Sequence, residues 1–354
     1  MLYQTENQHG GDVYGGGITL DFSANTNPLG TPPGVLEAVC RALPRLHRYP
    51  DPYCRRLVQA IAGHEQVPAS YILCGNGAAD LIYAYCAALR PRTAVELAPT
   101  FMEYSSGLAQ VGCRVERYFL HQAQNFDLDE RFLSFLEEKK PEVVFLCNPN
   151  NPTGRLIPLP LLEQILQYCA AQGARLFLDE CFLDLTEDGV SAKSLLAAHP
   201  ELLILKAFTK SYGMAGIRLG YCLCADNALL RRMAAASPPW NVSTPAQSAG
   251  VAALAERDFL QRTLSLVRTE RRWLTDNLTA LGFWVCPSHA NYLLFRGPLG
   301  LREGLLQQGI AIRGCGNYNG LGDGWYRIAV RPHGENEALI TAIRQFCKEK
   351  SQWQ

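Results

Sequence analysis

From about residue 70 to residue 225 the chain alternates short, almost wholly apolar runs with amphipathic stretches, and this alternation limits the fold more than any other feature. YILC (71–74) precedes AADLIYAYCAAL, TAVELA (93–98) precedes FMEYSSGLAQV, and CRVERYFL leads to LDERFLSFLEEKK. VVFLCNP (143–149) leads to LPLLEQILQYCAAQG, and ARLFLDE, LLILKAFT and IRLGYCLC follow as further strands. Strands taken in turn with helices need crossover connections and so predict a mostly parallel sheet. Runs apolar at nearly every position predict helices on both of its faces. The pattern stops near Pro238–Pro239; long helical stretches over about 243–281 follow, then FWVC, NYLLFR, IAIR and WYRIAV, and a closing helix over roughly 335–349. The prediction is an α/β chain in three parts. An N-terminal arm over 1–40 drapes over the rest and supplies part of the small domain; a large domain covers 41–240 and a smaller α+β domain 241–354.

A chain of 354 residues, 48% hydrophobic, can bury one large core and a second, smaller one. Zero net charge points away from nucleic acid and anionic membrane surfaces as partners. The first twenty residues hold no Lys, Arg or apolar core segment, which argues against a secretory signal. No run approaches the roughly 18 apolar residues of a membrane helix. Thirteen cysteines, an odd number without a CxxC pair, make neither a zinc site nor a disulfide framework. These features predict a soluble, cytoplasmic protein without a metal.

In an open α/β sheet, ligands bind beyond the carboxyl ends of the strands, so the polar residues that end the apolar runs are the candidates. LLILKAFTKSYG carries two lysines, Lys206 and Lys210, in a chain with seven lysines against 26 arginines. An amine in apolar surroundings shifts toward its neutral form, which suits a nucleophile able to form a Schiff base. Gly75-Asn76-Gly77 opens a helix and has the pattern of a phosphate cradle, although an ordinary strand-to-helix turn reads the same. Two Asn-Pro steps in Asn148–Gly154 make a rigid, non-helical loop that presents amides or simply turns at the surface. Asp179, after an apolar strand, needs a partner: a salt bridge to Arg218, or a cationic ring nitrogen of a cofactor. Arg218 sits in the apolar GIRLGY, where its fork suits a phosphate or carboxylate. Gly314, Gly316 and Gly320 have the spacing GxGxxxG and run into a strand, so a nicotinamide loop is discounted.

The order of these parts (Gly-Asn-Gly, Phe101, NPNNPTG, LDE, TK, GIRLG) resembles that of fold type I pyridoxal-phosphate enzymes over nearly the whole chain. Within that family, HGG (9–11), DFSANTNPLG (21–30), RYPDP (48–52), LDECF, ANYLLFR and IRGCGNY are similar to the threonine-phosphate decarboxylases of cobalamin biosynthesis and to the related histidinol-phosphate aminotransferases. The resemblance implies a large domain with a seven-stranded, mostly parallel sheet, pyridoxal 5'-phosphate as cofactor, and a homodimer. Lys210 would bind the cofactor covalently, Asp179 its ring nitrogen and Asn151 its ring hydroxyl, while Phe101 would stack on the ring. Gly77, Ala78, Ala79, Thr209 and Arg218, with Tyr49 of the partner subunit, would hold its phosphate. Lys206 would be a strand or sheet-edge residue. His9, Gly10, Asn25, Asn151, Arg313 and Arg331 would bind a small phosphorylated amino acid. Two departures matter: Ala207 stands where relatives carry a hydroxyl, and Phe182 where aminotransferases commonly carry Tyr. The implied reaction is decarboxylation of L-threonine O-3-phosphate to (R)-1-aminopropan-2-yl phosphate. Transamination of histidinol phosphate and decarboxylation of L-serine O-phosphate stay open, because the same core residues serve all three.

Overall fold

The computed structural model describes residues 9–351. Its main sheet has seven strands in the order Ile72–Gly75, Gly220–Cys224, Leu202–Ala207, Arg175–Asp179, Val143–Cys147, Thr93–Ala98, Arg114–Phe119. Gly220–Cys224 runs antiparallel to both neighbours and the remaining pairs are parallel. The apolar runs have the two-sided burial that their composition requires. Val144 and Leu146 join one hydrophobic cluster, while Val143, Phe145 and Cys147 of the same strand join another on the opposite face.

A second sheet orders Arg313–Gly314, Trp325–Ala329, Tyr292–Arg296 and Trp284–Val285, all antiparallel. Its cluster takes Leu293, Phe295, Ile328, Leu339 and Ile343, and the arm inserts Phe22 into it. Leu20–Asp21 pairs in parallel with Ile310–Ala311, so the arm is a strand of the C-terminal part, while Val35 lies in the first cluster of the main sheet. The closing helix runs from His333 to Ser351. Among the described residues, no helix is long and apolar enough to cross a membrane.

Two expectations need correcting. The helical stretches expected beyond 240 are Thr244–Leu254 and Phe259–Ala280, but the first packs against the helices Pro33–Ala42 and Arg55–Glu65. Its small residues Ala246, Ala249 and Ala253 share a cluster with Val35, Leu57 and Ile61, and a Cβ added to Gly250 would lie 2.6 Å from the Leu57 side chain. Small side chains let that helix approach closely, so a boundary at 240 cuts through a packed unit. The strand expected in IRLGYCLC begins only at Gly220. Arg218 precedes it, exposed, at φ +61° after the single turn Ala215–Ile217.

Register brings the site together. Cys147 pairs with Asp179 and Asp179 with Leu205, so three parallel strands end level with one another. The loop with Asn151, the carboxylate of Asp179 and the turn with Lys210 all emerge at that edge.

Candidate active site

A cavity of about 460 Å³ opens at this edge, and Lys210 lines it while Lys206 does not. Lys210 belongs to the single helical turn Phe208–Ser211, and its Nζ lies 5.5 Å from the centre of the Phe182 ring. Burial and the nearby guanidinium of Arg327 push its pKa down to about 8. Lys206 has the strand parity of Leu202 and Ile204 and faces the opposite side of the sheet. There its ammonium meets Asp184 at 2.9 Å and Glu65 at 3.2 Å. Burial alone would lower its pKa, but Asp184, Glu65 and Glu180 outweigh burial and raise it. Glu65 also takes Lys193 at 2.8 Å and the Tyr221 hydroxyl; burial pushes its carboxyl up, but Lys206, Lys193 and Tyr221 together outweigh burial and hold it down at about 2. Lys206 is therefore a paired, charged residue of an interior strand and not of a sheet edge.

Asp179 faces the cavity with both oxygens engaged by neutral donors. Tyr104 donates its hydroxyl to Oδ2 at 2.6 Å and the Cys181 amide donates to Oδ1 at 2.8 Å. Burial pushes the carboxyl up, while these bonds and the Lys210 charge oppose it. Arg218 is not its partner. The asparagines of the Asn148–Gly154 loop divide by function. Asn148 accepts from the Ile157 amide, and Asn150 bonds Pro99, Thr100 and Thr153, so both brace the loop. Only Asn151 lines the cavity, and Arg327 donates to its Oδ1, which leaves the amide nitrogen as donor.

One end of the cavity is built for an anion. The helix Ala78–Leu89 starts there without a side-chain cap, so its first amides face the cavity mouth beside Ala78 and Ala79. Gly77 precedes it at φ +86°, and a Cβ on it would lie 2.6 Å from Arg218 Nη2, so only glycine lets that guanidinium lie over the helix start. Thr209 lines the same region, where Ala207 presents a methyl group in place of a hydroxyl. Phe101 covers the side.

The other end gathers His9, Gly10, Asn25 and Arg313. Gly10 is dictated by packing, since its Cβ would meet the Ser23 carbonyl at 2.3 Å. Arg313 donates to the Gly314 carbonyl and to Asn317 Oδ1. The expected substrate ligand Arg331 is elsewhere. It lies past the end of the strand Trp325–Ala329, pairs with Glu335 at 2.9 Å, and bonds through its backbone to Asn336. Arg327, on that strand and 6% exposed, takes the position over the cavity. Its Nη2 donates to the Ser23 carbonyl at 2.8 Å, and among the described residues no carboxylate lies within ion-pair distance. Its Nε and both polar side-chain atoms of Asn25 are buried and without a partner among the described residues. Sequence reasoning chose the second arginine of RIAVR; the signal for the first was its place inside an apolar run. Tyr49 does not line the cavity: it is 79% exposed and stacks on Trp240 at 4.5 Å.

Residues 18–346 match the family described as aminotransferase class I and II. The chain belongs to that family. As an aminotransferase class I and II protein it has the fold type I architecture, and pyridoxal phosphate is its cofactor. It is 40% identical to the threonine-phosphate decarboxylase of Salmonella typhimurium, over 92% of this chain and 90% of the relative. The histidinol-phosphate aminotransferase of Clostridium acetobutylicum superposes with a TM-score of 0.86 at 28% identity, covering 92% of this chain and 98% of the other. The L-threonine-O-3-phosphate decarboxylase of Porphyromonas gingivalis superposes with a TM-score of 0.82 at 25% identity, covering 93% and 99%. The residues present fit the cofactor. A lysine amine with its pKa lowered to about 8, a buried carboxylate held by neutral donors and an uncapped helix start beside a guanidinium are the groups that a pyridine aldehyde phosphate needs.

Proposed function

We propose that the chain is a pyridoxal-phosphate-dependent carboxy-lyase that converts L-threonine O-3-phosphate into (R)-1-aminopropan-2-yl phosphate. The observation that carries this reading is Arg327, a buried guanidinium over the cavity with no counter-charge among the described residues. A buried cation is costly unless an anion completes it. With Arg313 beside it, the cavity has cations for two anions, and threonine phosphate brings a carboxylate and a phosphate. The 40% identity to a threonine-phosphate decarboxylase supports the same reading.

The cofactor would be held by Lys210 and Asn151, by Asp179 at its ring nitrogen, by Phe101 against its face, and by Ala78, Ala79, Thr209 and Arg218 at its phosphate. When bound it supplies an electron sink for the pair released as a bond at the substrate α-carbon breaks. The protein selects the bond. Arg327 and Arg313 hold the substrate anions, with His9, Gly10 and Asn25 closing that end, and so set which α-carbon substituent is presented for cleavage. Lys210, titrating at about 8, is the group placed to return a proton to the α-carbon once carbon dioxide has left.

Threonine phosphate alone, without a keto acid, is expected to release carbon dioxide over many turnovers and to yield one phosphorylated amino alcohol. Turnover that requires 2-oxoglutarate and forms glutamate from histidinol phosphate would make the chain an aminotransferase instead. Serine phosphate is the informative competitor, since one methyl group discriminates by only about 1–3 kcal/mol.

The enzyme is also proposed to act as a cytoplasmic homodimer. Leu29, Leu36, Leu43, Leu46, Tyr49 and Tyr53 are exposed along one N-terminal stretch, and Trp240, stacked on Tyr49, extends the surface. So apolar a surface favours a second copy. Sedimentation at micromolar concentration is expected to give twice the 39.2 kDa chain mass; a single-chain mass would rule the dimer out.

A further inference from the structure

Tyr104 does not itself line the cavity and still bears on its chemistry. The side chain is fully buried, and its ring stacks on Phe145 at 5.5 Å and meets Phe101 edge-on at 5.7 Å. Its hydroxyl donates to Asp179 Oδ2 at 2.6 Å. Both ends of this residue therefore bear on groups that line the cavity, Phe101 and Asp179. The neighbouring residue, Glu103, reaches the same cavity by another route, with His9 at 2.8 Å and the Tyr83 hydroxyl at 2.8 Å. The start of the helix Glu103–Gln110 is thus a bracket behind the site.

We propose that Tyr104 is a positioning residue for the cofactor's ring nitrogen, its hydroxyl fixing the Asp179 carboxylate as an acceptor aimed into the cavity. A carboxylate buried in an apolar wall favours its neutral acid form, which would turn it from an acceptor toward a donor. Among the described residues Asp179 is in no ion pair, and Lys210 acts on it through space. Ionisation then depends on hydrogen bonds to the charged form. The Cys181 amide satisfies Oδ1, and Tyr104 satisfies the far side of Oδ2. The Tyr104 hydroxyl is itself held protonated, since burial and the Asp179 charge both raise its pKa, so it remains a donor across the working pH range. Because the tyrosine ring is locked among Phe101, Phe145 and Phe177, the direction of that bond is set before any ligand arrives.

The inference rests on Asp179 being the partner of the ring nitrogen, but not on the substrate or the reaction. It is tested with apoprotein and two probes, pyridoxal phosphate and its analogue with carbon in place of the ring nitrogen, each titrated by fluorescence. Tyr104→Phe removes one oxygen and keeps the ring packing, and circular dichroism checks that it folds. It is expected to weaken pyridoxal phosphate binding by about tenfold or more, the usual weight of a hydrogen bond to a charged group. The carbon analogue should bind the variant and the parent alike. In an Asp179→Asn background, adding Tyr104→Phe should change binding by less than about twofold, because the hydroxyl acts through the carboxylate. Equal losses for both probes, or equal losses in both backgrounds, would make Tyr104 a packing residue and overturn the proposal. If Asp179→Asn itself fails to discriminate between the probes, the assignment of Asp179 falls, and the role of Tyr104 with it.

Discussion

Borohydride reduction of the holoenzyme, followed by peptide mapping, is expected to place the pyridoxyl label on Lys210 and none on Lys206. Two lysines four residues apart in one apolar run look equivalent on paper, yet their surroundings are opposite. Lys210 is desolvated beside the cations Arg327 and Arg218 and titrates at about 8. Lys206 is desolvated between Asp184 and Glu65 and stays charged. An ammonium locked between two carboxylates has neither a free lone pair nor access to the cavity. The two substitutions should therefore fail differently. Lys210→Ala should fold with an unchanged melting temperature and lose at least about 10²–10⁴-fold in kcat, the range for a missing acid–base group, with the covalent attachment lost as well. Lys206→Met leaves Asp184 without its ion-pair partner and Glu65 with Lys193 alone, and should cost up to about 3–5 kcal/mol of stability. The sign of the pH effect follows from the lysine pKa. Below about 8 the Lys210 amine is protonated, so the rate at which apoprotein takes up the cofactor should rise toward pH 8 and level off above it. A label on Lys206, or an uptake rate flat from pH 6 to pH 9, would overturn the assignment.

The strand TAVELA is legible to the residue, and VVFLC stops two residues short of the run expected over 143–149, where Asn148-Pro149 turns the chain out of the sheet. The roles of polar residues are legible only where local order decides them. Lys210 falls three residues beyond the strand Leu202–Ala207, and Asp179 ends its strand, so both could be found from position. Lys206 could not be understood that way, since its partner Glu65 is 141 residues distant and belongs to the helix Arg55–Glu65. Arg218 reads as a strand residue, but the left-handed turn before Gly220 keeps it out of the sheet and over Gly77. The helix Thr244–Leu254 has nothing in its own sequence to say which domain it joins; that depends on Leu57 and Val35 offering a surface its alanines can approach. Tyr104 is a buried aromatic among other aromatics, and only its 2.6 Å bond to Asp179 separates it from ordinary core.

The two arginines of RIAVR give the second large effect, and they divide it unequally. Arg327→Gln removes a buried guanidinium that holds Asn151 Oδ1 and the Ser23 carbonyl and faces the substrate end of the cavity. Truncating one partner of a buried, hydrogen-bonded charge contact costs about 2–5 kcal/mol, so kcat/KM should fall by about 30-fold to several thousand-fold. Arg331→Gln loses a partly exposed pair with Glu335 and should cost no more than about 1 kcal/mol of stability, with kcat/KM near the parent value. A further consequence separates charge from shape. The Arg327 cation helps to hold the Lys210 pKa down, so Arg327→Gln should move the midpoint of cofactor uptake above pH 8. Arg327→Lys keeps the charge but not the fork, and should restore that midpoint while recovering little of the lost kcat/KM. Should Arg331→Gln cause the large loss and Arg327→Gln leave turnover intact, the substrate anions bind outside this cavity and the reading built on Arg327 is wrong.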